Sequence, residues 1–275
     1  MSEADDAGLR IVASTAAYGE LVSAIAGDTV EVESIIDDPS KDPHEYEVSA
    51  RDQLALSHAD LVVRNGGGYD DFIDTMLSAS DNADVTVIDA VELSRYDASA
   101  PGFNEHVWYD YPTVSRVVTA IESQLAGLDP QNAGIYAANA EALQTEIATL
   151  QDRVAGLNVV HSGASVAITE PVPLYLLNAI GLRNRTPPAF SEAVENDTDV
   201  SPEVLRETLK LFSDQAVALL VYNPQTGGPQ TDAVLAAADD SGVPVVAAGE
   251  LPTPGLDYVG WQSALLDEIE TALIR

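Results

Sequence analysis

At 275 residues, 46% of them hydrophobic, the chain can bury a full core, and its length favours two modest domains over one. Its 45 acidic residues against 12 basic ones give a formal charge of −33, which excludes long-range attraction to nucleic-acid phosphates or anionic lipid and concentrates cations near the surface. Cysteine is absent, so neither a thiolate metal site nor a disulfide scaffold is available, and no apolar run approaches the roughly 20 residues that a membrane helix needs.

The start, Met1 to Gly8, is acidic and reads as the tether of an exported chain whose signal segment has been removed. Leu9 to Ser14 is a short apolar strand, and Thr15 is placed to cap a helix running to about Ala26. A second strand, Thr29 to Ile36, leads through an acid- and proline-rich loop into Asp42-Pro43-His44-Glu45-Tyr46-Glu47, and Ser49 opens a helix to Ser57. Asp60 to Arg64 is a third strand, ended by Asn65-Gly66-Gly67-Gly68. Those glycines are followed by Tyr69-Asp70-Asp71, which would repel phosphate, so the stretch reads as a tight turn and not as a phosphate loop. Asp70 to Ser78 is a helix and Val85 to Ile88 a fourth strand. Strands and helices alternating in this way indicate parallel βαβ units in an open sheet.

Glu92 to Phe103 reads as irregular and delivers Asn104-Glu105-His106-Val107-Trp108-Tyr109-Asp110. Pro112 begins a helix to about Leu125. Asp129-Pro130 then reads as an N-cap with proline at the first helical position, opening an alanine-rich helix to about Leu157. At about 40 Å that helix is long enough to serve two lobes. The alternation resumes with a strand from Val166 to Thr169 ending at Glu170, a helix from about Pro173 to Ile180, and a proline-rich strand over Asn184 to Phe190. Ser201-Pro202-Glu203 caps a helix to Phe212. Ala216 to Tyr222 is an apolar strand, Pro229 to Ser241 a helix and Pro244 to Ala248 a strand ended by Gly249-Glu250. Asp257 to Ile274 closes the chain as a helix. The expected fold is α/β, two similar lobes with parallel sheets joined by one long rigid helix: residues 8–128, a linking helix over 129–158, and residues 159–275.

Ligands of open α/β sheets bind beyond the carboxyl ends of the strands, and a two-lobed chain makes its natural pocket between facing strand ends. His44 and His106 follow strands of the first half, and Glu170 and Glu250 follow strands of the second. Taken alone, His44 reads as a surface histidine of an acidic loop more readily than as a ligand; the second histidine and the two acids turn the reading towards a metal site. Two imidazoles with two carboxylates and no sulfur suit a divalent ion such as zinc or manganese. His58 reads as a helix-end histidine favoured by the dipole and not as a ligand, and His161, before a strand, as a surface or hinge residue. Trp108 and Tyr109 read as wall packing, and Asp110 as either a partner of a ligand imidazole or a helix N-terminus.

These segments resemble the cluster of ABC-transporter solute-binding proteins that carry zinc and manganese. The resemblance runs through Asp42-Pro43-His44, Ala59-Asp60-Leu61-Val62-Val63 with Asn65-Gly66, Glu105-His106-Val107-Trp108-Tyr109-Asp110, Glu170 with Tyr175 and Gly181-Leu182, and Gly242-Val243-Pro244-Val245-Val246 before Glu250. It spans about residues 9 to 274. It implies two Rossmann-like lobes, a metal held between them by His44, His106, Glu170 and Glu250, and delivery to a membrane permease. The family's usual fourth ligand is an aspartate, so Glu250 departs from the pattern and Asp257 is a weaker substitute. Glu170 stands where zinc carriers commonly have histidine, and the loop from Glu92 to Asn104 has no histidine. Manganese is therefore expected ahead of zinc as transported ligand, although raw affinity favours zinc. The resemblance further implies an extracytoplasmic, monomeric carrier, anchored through a lipid-modified segment, without catalytic turnover. A metallohydrolase and a surface adhesin are the competing readings. The chain has no His-Glu-x-x-His and no nucleophile elbow to support the first.

Overall fold

A strand flanked by helices on both faces has no wet side, and the central strands of this protein are apolar accordingly. The computed structural model describes residues 8–39, 46–82 and 85–274, and the chain divides into two compact units, one ending at Ile147 and the other starting at Ala148. In the first unit β1 (Arg10–Thr15), β2 (Glu31–Ile36), β3 (Leu61–Arg64) and β4 (Thr86–Asp89) form a parallel sheet of order β2-β1-β3-β4. Ile11 pairs with Val32 on one side and with Leu61 on the other, and Ile11, Val12, Ala13, Leu61, Val62 and Val63 are all buried. Helices α1 (Ala16–Ala26), α2 (Ala50–Ser57), α3 (Phe72–Ser78), α4 (Ala90–Ser94) and α5 (Tyr111–Leu128) complete this unit, and α6 (Ala133–His161) follows.

The second unit repeats the winding. Strands β5 (Ser165–Ile168), β6 (Arg183–Asn184), β7 (Leu220–Tyr222) and β8 (Val245–Ala247) are parallel in the order β6-β5-β7-β8, which is the order of the first sheet with each strand replaced by its counterpart. Helices α7 (Leu174–Ala179), α8 (Pro188–Glu195), α9 (Pro202–Ser213), α10 (Pro229–Asp240) and α11 (Tyr258–Leu273) connect and cover them. One core cluster joins Phe190 of α8, Phe212 of α9 and Val234 and Ala238 of α10 to Ala167 and Leu220 in the strands. Each sheet thus changes winding direction at its centre, between β1 and β3 and between β5 and β7. Ligands of such folds collect beyond the strand ends at that point.

Three local differences from the sequence reading have physical causes. Asp129 does not cap the long helix: its carboxylate accepts from the amides of Gln131 and Asn132 and from the Tyr136 hydroxyl, which holds a turn ahead of a helix starting at Ala133. The proline-rich strand stops at Asn184, because Pro187 and Pro188 have no N–H for a ladder. Pro188 sits instead in the first turn of α8, where its fixed φ suits a helix start. Thr186 takes over the ladder, its hydroxyl accepting from the Ile168 N–H and donating to the Ile168 carbonyl. Glu92–Ser94, within the stretch read as irregular, belong to a short helix, Ala90–Ser94, capped by the carboxylate of Asp89, which accepts from the Glu92 N–H at 2.9 Å. The 29-residue α6 buries Tyr136, Ala140, Leu143, Ile147, Leu150, Val154 and Leu157, an alternating four- and three-residue spacing that keeps one apolar stripe along its whole length.

Candidate metal centre

β5, β7 and β8 lie side by side, so the residues just past their carboxyl ends come together. Glu170 follows β5, Asn223 follows β7 and Glu250 follows β8, and all three are at most 2% exposed. A carboxylate so deeply buried needs hydrogen-bond donors or a cation. Asn223 supplies donors to both: its Nδ2 lies 2.6 Å from Glu170 Oε2 and 2.8 Å from Glu250 Oε1. The amide cannot be turned round, since its Oδ1 accepts from the Gln225 N–H at 3.0 Å and its own backbone N–H is held by Thr169 Oγ1 at 3.0 Å. The Thr226 hydroxyl donates to the other oxygen of Glu170, and the Glu250 N–H donates to Gln225 Oε1. Gly249 is small for a reason: a Cβ there would stand 2.7 Å from Gln225 Oε1.

In the first unit His106 precedes a single 3₁₀ turn over Val107–Tyr109 and is fully buried. Its Nδ1 lies 2.6 Å from Asn104 Oδ1. Asn104 Oδ1 also accepts from the His106 backbone N–H at 3.1 Å. With the carbonyl oxygen as acceptor, Nδ1 carries the proton and Nε2 keeps the lone pair that a metal requires. The ring is walled by Trp108, at a centroid distance of 5.0 Å, and by Tyr69 at 6.0 Å. The Glu105 carbonyl, next to it in the chain, accepts from Asn65 Nδ2 at 2.9 Å. Asn65 is in turn fixed by Tyr18, whose hydroxyl donates to its Oδ1. The glycine stretch is the tight turn expected of it: Asp70 accepts the N–H groups of Asn65 and Gly66 at 2.7 and 2.8 Å. Burial pushes the Asp70 carboxyl upward, opposed by those hydrogen bonds and by Arg64. Burial also drives the Tyr18 phenol well above its ordinary value, helped by Asp70 and Asp89.

His44 lies outside the described residues, with most of the Asp42-to-Glu47 motif. The end of that motif is anchored. The Tyr46 hydroxyl donates to Asp52 Oδ2 at 2.8 Å, and Ser49 and Asp52 form a reciprocal capping box at the start of α2. Burial and the contact with Asp52 push the Tyr46 phenol up to about 12. Asp110 takes the helix role: its carboxylate accepts from the Thr113 N–H as N-cap of α5, and Asn104 does the work on His106. Asp257 is exposed and caps α11 through the Gly260 N–H at 2.7 Å. His58 caps the carboxyl end of α2 and His161 ends α6. Of the four expected ligands, the structure therefore brings Glu170 and Glu250 together. Sequence reasoning passed over Asn104, Asn223 and Thr226, which carry no charge and belong to no spacing pattern.

Two α/β units of one winding, with buried carboxylates and a tautomer-fixed imidazole beyond their strand ends, define the class of metal-binding solute-binding proteins. The chain belongs to the family described as ZnuA, zinc-uptake complex component A, periplasmic, which matches residues 11–272. A manganese-binding lipoprotein, MntA of Halalkalibacterium halodurans, is 34% identical over 152 residues, covering 54% of this chain and 49% of that one. MntA of Bacillus subtilis, also named a manganese-binding lipoprotein, is 24% identical over 264 residues, covering 93% and 84%. The periplasmic zinc-binding protein TroA of Treponema pallidum superposes with a TM-score of 0.80 at 20% identity, covering 98% of this chain and all of that one. The protein is thus a metal-binding substrate-binding component of an ABC transporter and not an enzyme, which excludes the hydrolase reading. No helix among the described residues is long and apolar enough to cross a membrane.

Proposed function

We propose that this protein captures a divalent transition metal outside the cytoplasm, manganese ahead of zinc, and delivers it to a membrane permease. The ligands are His44 and His106 from the first lobe and Glu170 and Glu250 from the second. The lobes run over residues 8–128 and 159–275, linked by residues 129–158, and the carrier works as a monomer, held to the membrane by a lipid-modified segment as the names of its relatives suggest. The observation that carries this reading is the buried pair of carboxylates, Glu170 and Glu250, brought together on the one side-chain amide of Asn223. Asn104 adds to it by leaving Nε2 of His106 as the metal-binding nitrogen. Glu250 is preferred to Asp257 as fourth ligand because Asp257 is exposed and committed to a helix end. Manganese is placed first because two carboxylates offer hard oxygen donors and the set contains no sulfur. An adhesin role is the less favoured reading, because a buried set of carboxylates and imidazole serves an ion and has no use in adhesion.

The test is equilibrium dialysis of the purified chain against manganese and zinc, separately and together, followed by elemental analysis. One ion per wild-type chain, lost in His106→Ala and in Glu170→Ala, is the expected result. A wild type that retains neither ion overturns the reading.

A further inference from the structure

Asn223 is no ligand in the scheme above, yet its side-chain amide touches both of the carboxylates proposed as ligands. Both carboxylates turn one oxygen towards its Nδ2, at 2.6 and 2.8 Å. We propose that Asn223 sets the metal preference of this site by holding back one oxygen of each glutamate, so that each gives a single donor oxygen to the ion. The inference rests on the metal-capture reading and deepens it.

A carboxylate that chelates an ion directs both oxygens to one point. If one oxygen is already directed at a fixed N–H donor lying between the two groups, chelation requires that hydrogen bond to be given up in a buried place, where a lost bond is costly. Two contacts and deep burial keep the donor from swinging aside. Gln225 N–H holds Oδ1, Thr169 Oγ1 holds the backbone N–H of Asn223, and Asn223 itself is 2% exposed. Thr226 adds a second restraint from the other side, donating to Glu170 Oε1. Two single-oxygen carboxylates and two imidazoles make four donors, the tetrahedral set that zinc takes. Opening either glutamate to both oxygens raises the number towards the octahedral sets that manganese takes. Asn223 is therefore the residue that keeps zinc close behind manganese, and relaxing it shifts the balance to manganese.

The experiment compares the wild-type chain of 275 residues with Asn223→Ala and Thr226→Val. Apparent affinities for manganese and for zinc are measured by competition with a metal chelator, and the oxygen count around bound manganese is read by X-ray absorption. In Asn223→Ala the manganese-to-zinc affinity ratio rises about tenfold and the oxygen count increases; Thr226→Val moves both in the same direction by less. Should Asn223→Ala fail to fold, Asn223→Ser decides in its place, because it keeps a small polar side chain that is too short to span both carboxylates. A ratio that stays within about twofold of wild type, or falls, in the folded variants overturns the inference while leaving metal capture intact. A wild type that binds neither ion overturns metal capture itself, and this inference with it.

Discussion

Asn104 Oδ1 stands 2.6 Å from Nδ1 of His106 and 3.1 Å from the backbone nitrogen of the same residue. One carbonyl oxygen thus fixes both the tautomer of the imidazole and the turn of backbone that carries it. Partners of this kind, one bond removed from a metal, are typically worth 10–100-fold in affinity. Asn104→Ala is expected to weaken metal binding by about that factor, and Asn104→Asp, which keeps the acceptor, to restore most of it. Isothermal titration with manganese checks this, with the metal-free melting temperature as control. Equal affinity in Asn104→Ala would show that His106 is not a ligand through Nε2.

Glu170 and Glu250 are buried acids, so removing one charge relieves desolvation in the metal-free protein while removing a ligand from the metal-bound one. Glu170→Gln and Glu250→Gln are each expected to lower metal affinity more than the Asn104 substitution does. Neither should lower the metal-free melting temperature by much. Wild type at a metal concentration 100 times its dissociation constant gains about 2.7 kcal/mol of stability. That gain disappears with a chelator, and it should be absent in either variant at the same metal concentration.

Gly66 has φ 78°, and a Cβ on it would stand 2.2 Å from Asp89 Oδ2. The same carboxylate caps α4 and pairs with Arg64, at 3.0 Å, so it cannot simply move away. Gly66→Ala combines left-handed strain with a clash and is expected to destabilise the protein by about 2–4 kcal/mol. Urea denaturation measures it. A loss under about 1 kcal/mol would mean that the turn is softer than its hydrogen bonds to Asp70 suggest.

How much of this was legible in the sequence depends on whether a residue acts through its type or through its neighbours. The parallel alternation of strands and helices was legible, because runs such as Leu61-Val62-Val63 are buried on both faces and show no period-two pattern. Ser49 was legible as a helix start, its partner Asp52 standing three residues on. Asp129-Pro130 misled because the same two residue types serve a turn as well as a cap, and only the distant Tyr136 hydroxyl decides between them. Asn223 was illegible for a related reason. Its role comes from adjacent strands β5, β7 and β8 delivering residues 170, 223 and 250 to one place, and sequence spacing does not carry that order.

Asp52 gives a pH prediction. Burial by itself would raise its carboxyl, but hydrogen bonds from Ser49 and Tyr46 outweigh this and hold it below the usual aspartate value. A carboxyl lowered in the folded state contributes stability above its unfolded pKa and loses it as pH falls through the folded one. Asp52→Ala is therefore expected to cost about 1–2 kcal/mol at neutral pH. The gap to wild type should narrow below about pH 4. Asp70 works in the opposite sense, its raised carboxyl favouring the folded state at low pH and losing that contribution as pH rises. Denaturation curves at pH 7 and pH 3 separate the two, since only the Asp52 difference shrinks on the acid side.

The charge of the whole chain sets its response to salt. Added salt weakens attraction and repulsion alike, so the sign of its effect depends on which is more abundant. Exposed pairs such as Arg51 with Glu33, at 3.0 Å, are each worth less than about 1 kcal/mol and lose little. With 45 acidic side chains and only 12 basic ones, most carboxylates have no cation to pair with, and their mutual repulsion dominates. The screening length falls from about 30 Å at 0.01 M salt to about 3 Å at 1 M, which spans the separations between neighbouring surface acids. The metal-free protein is therefore expected to melt at a higher temperature in 1 M than in 0.01 M sodium chloride, on the scale of several degrees. Calorimetry with a chelator present, to keep stray divalent ions from mimicking the effect, makes the measurement. A melting temperature that fell with salt would mean that ion pairs, and not the surplus of acids, govern the stability of this surface.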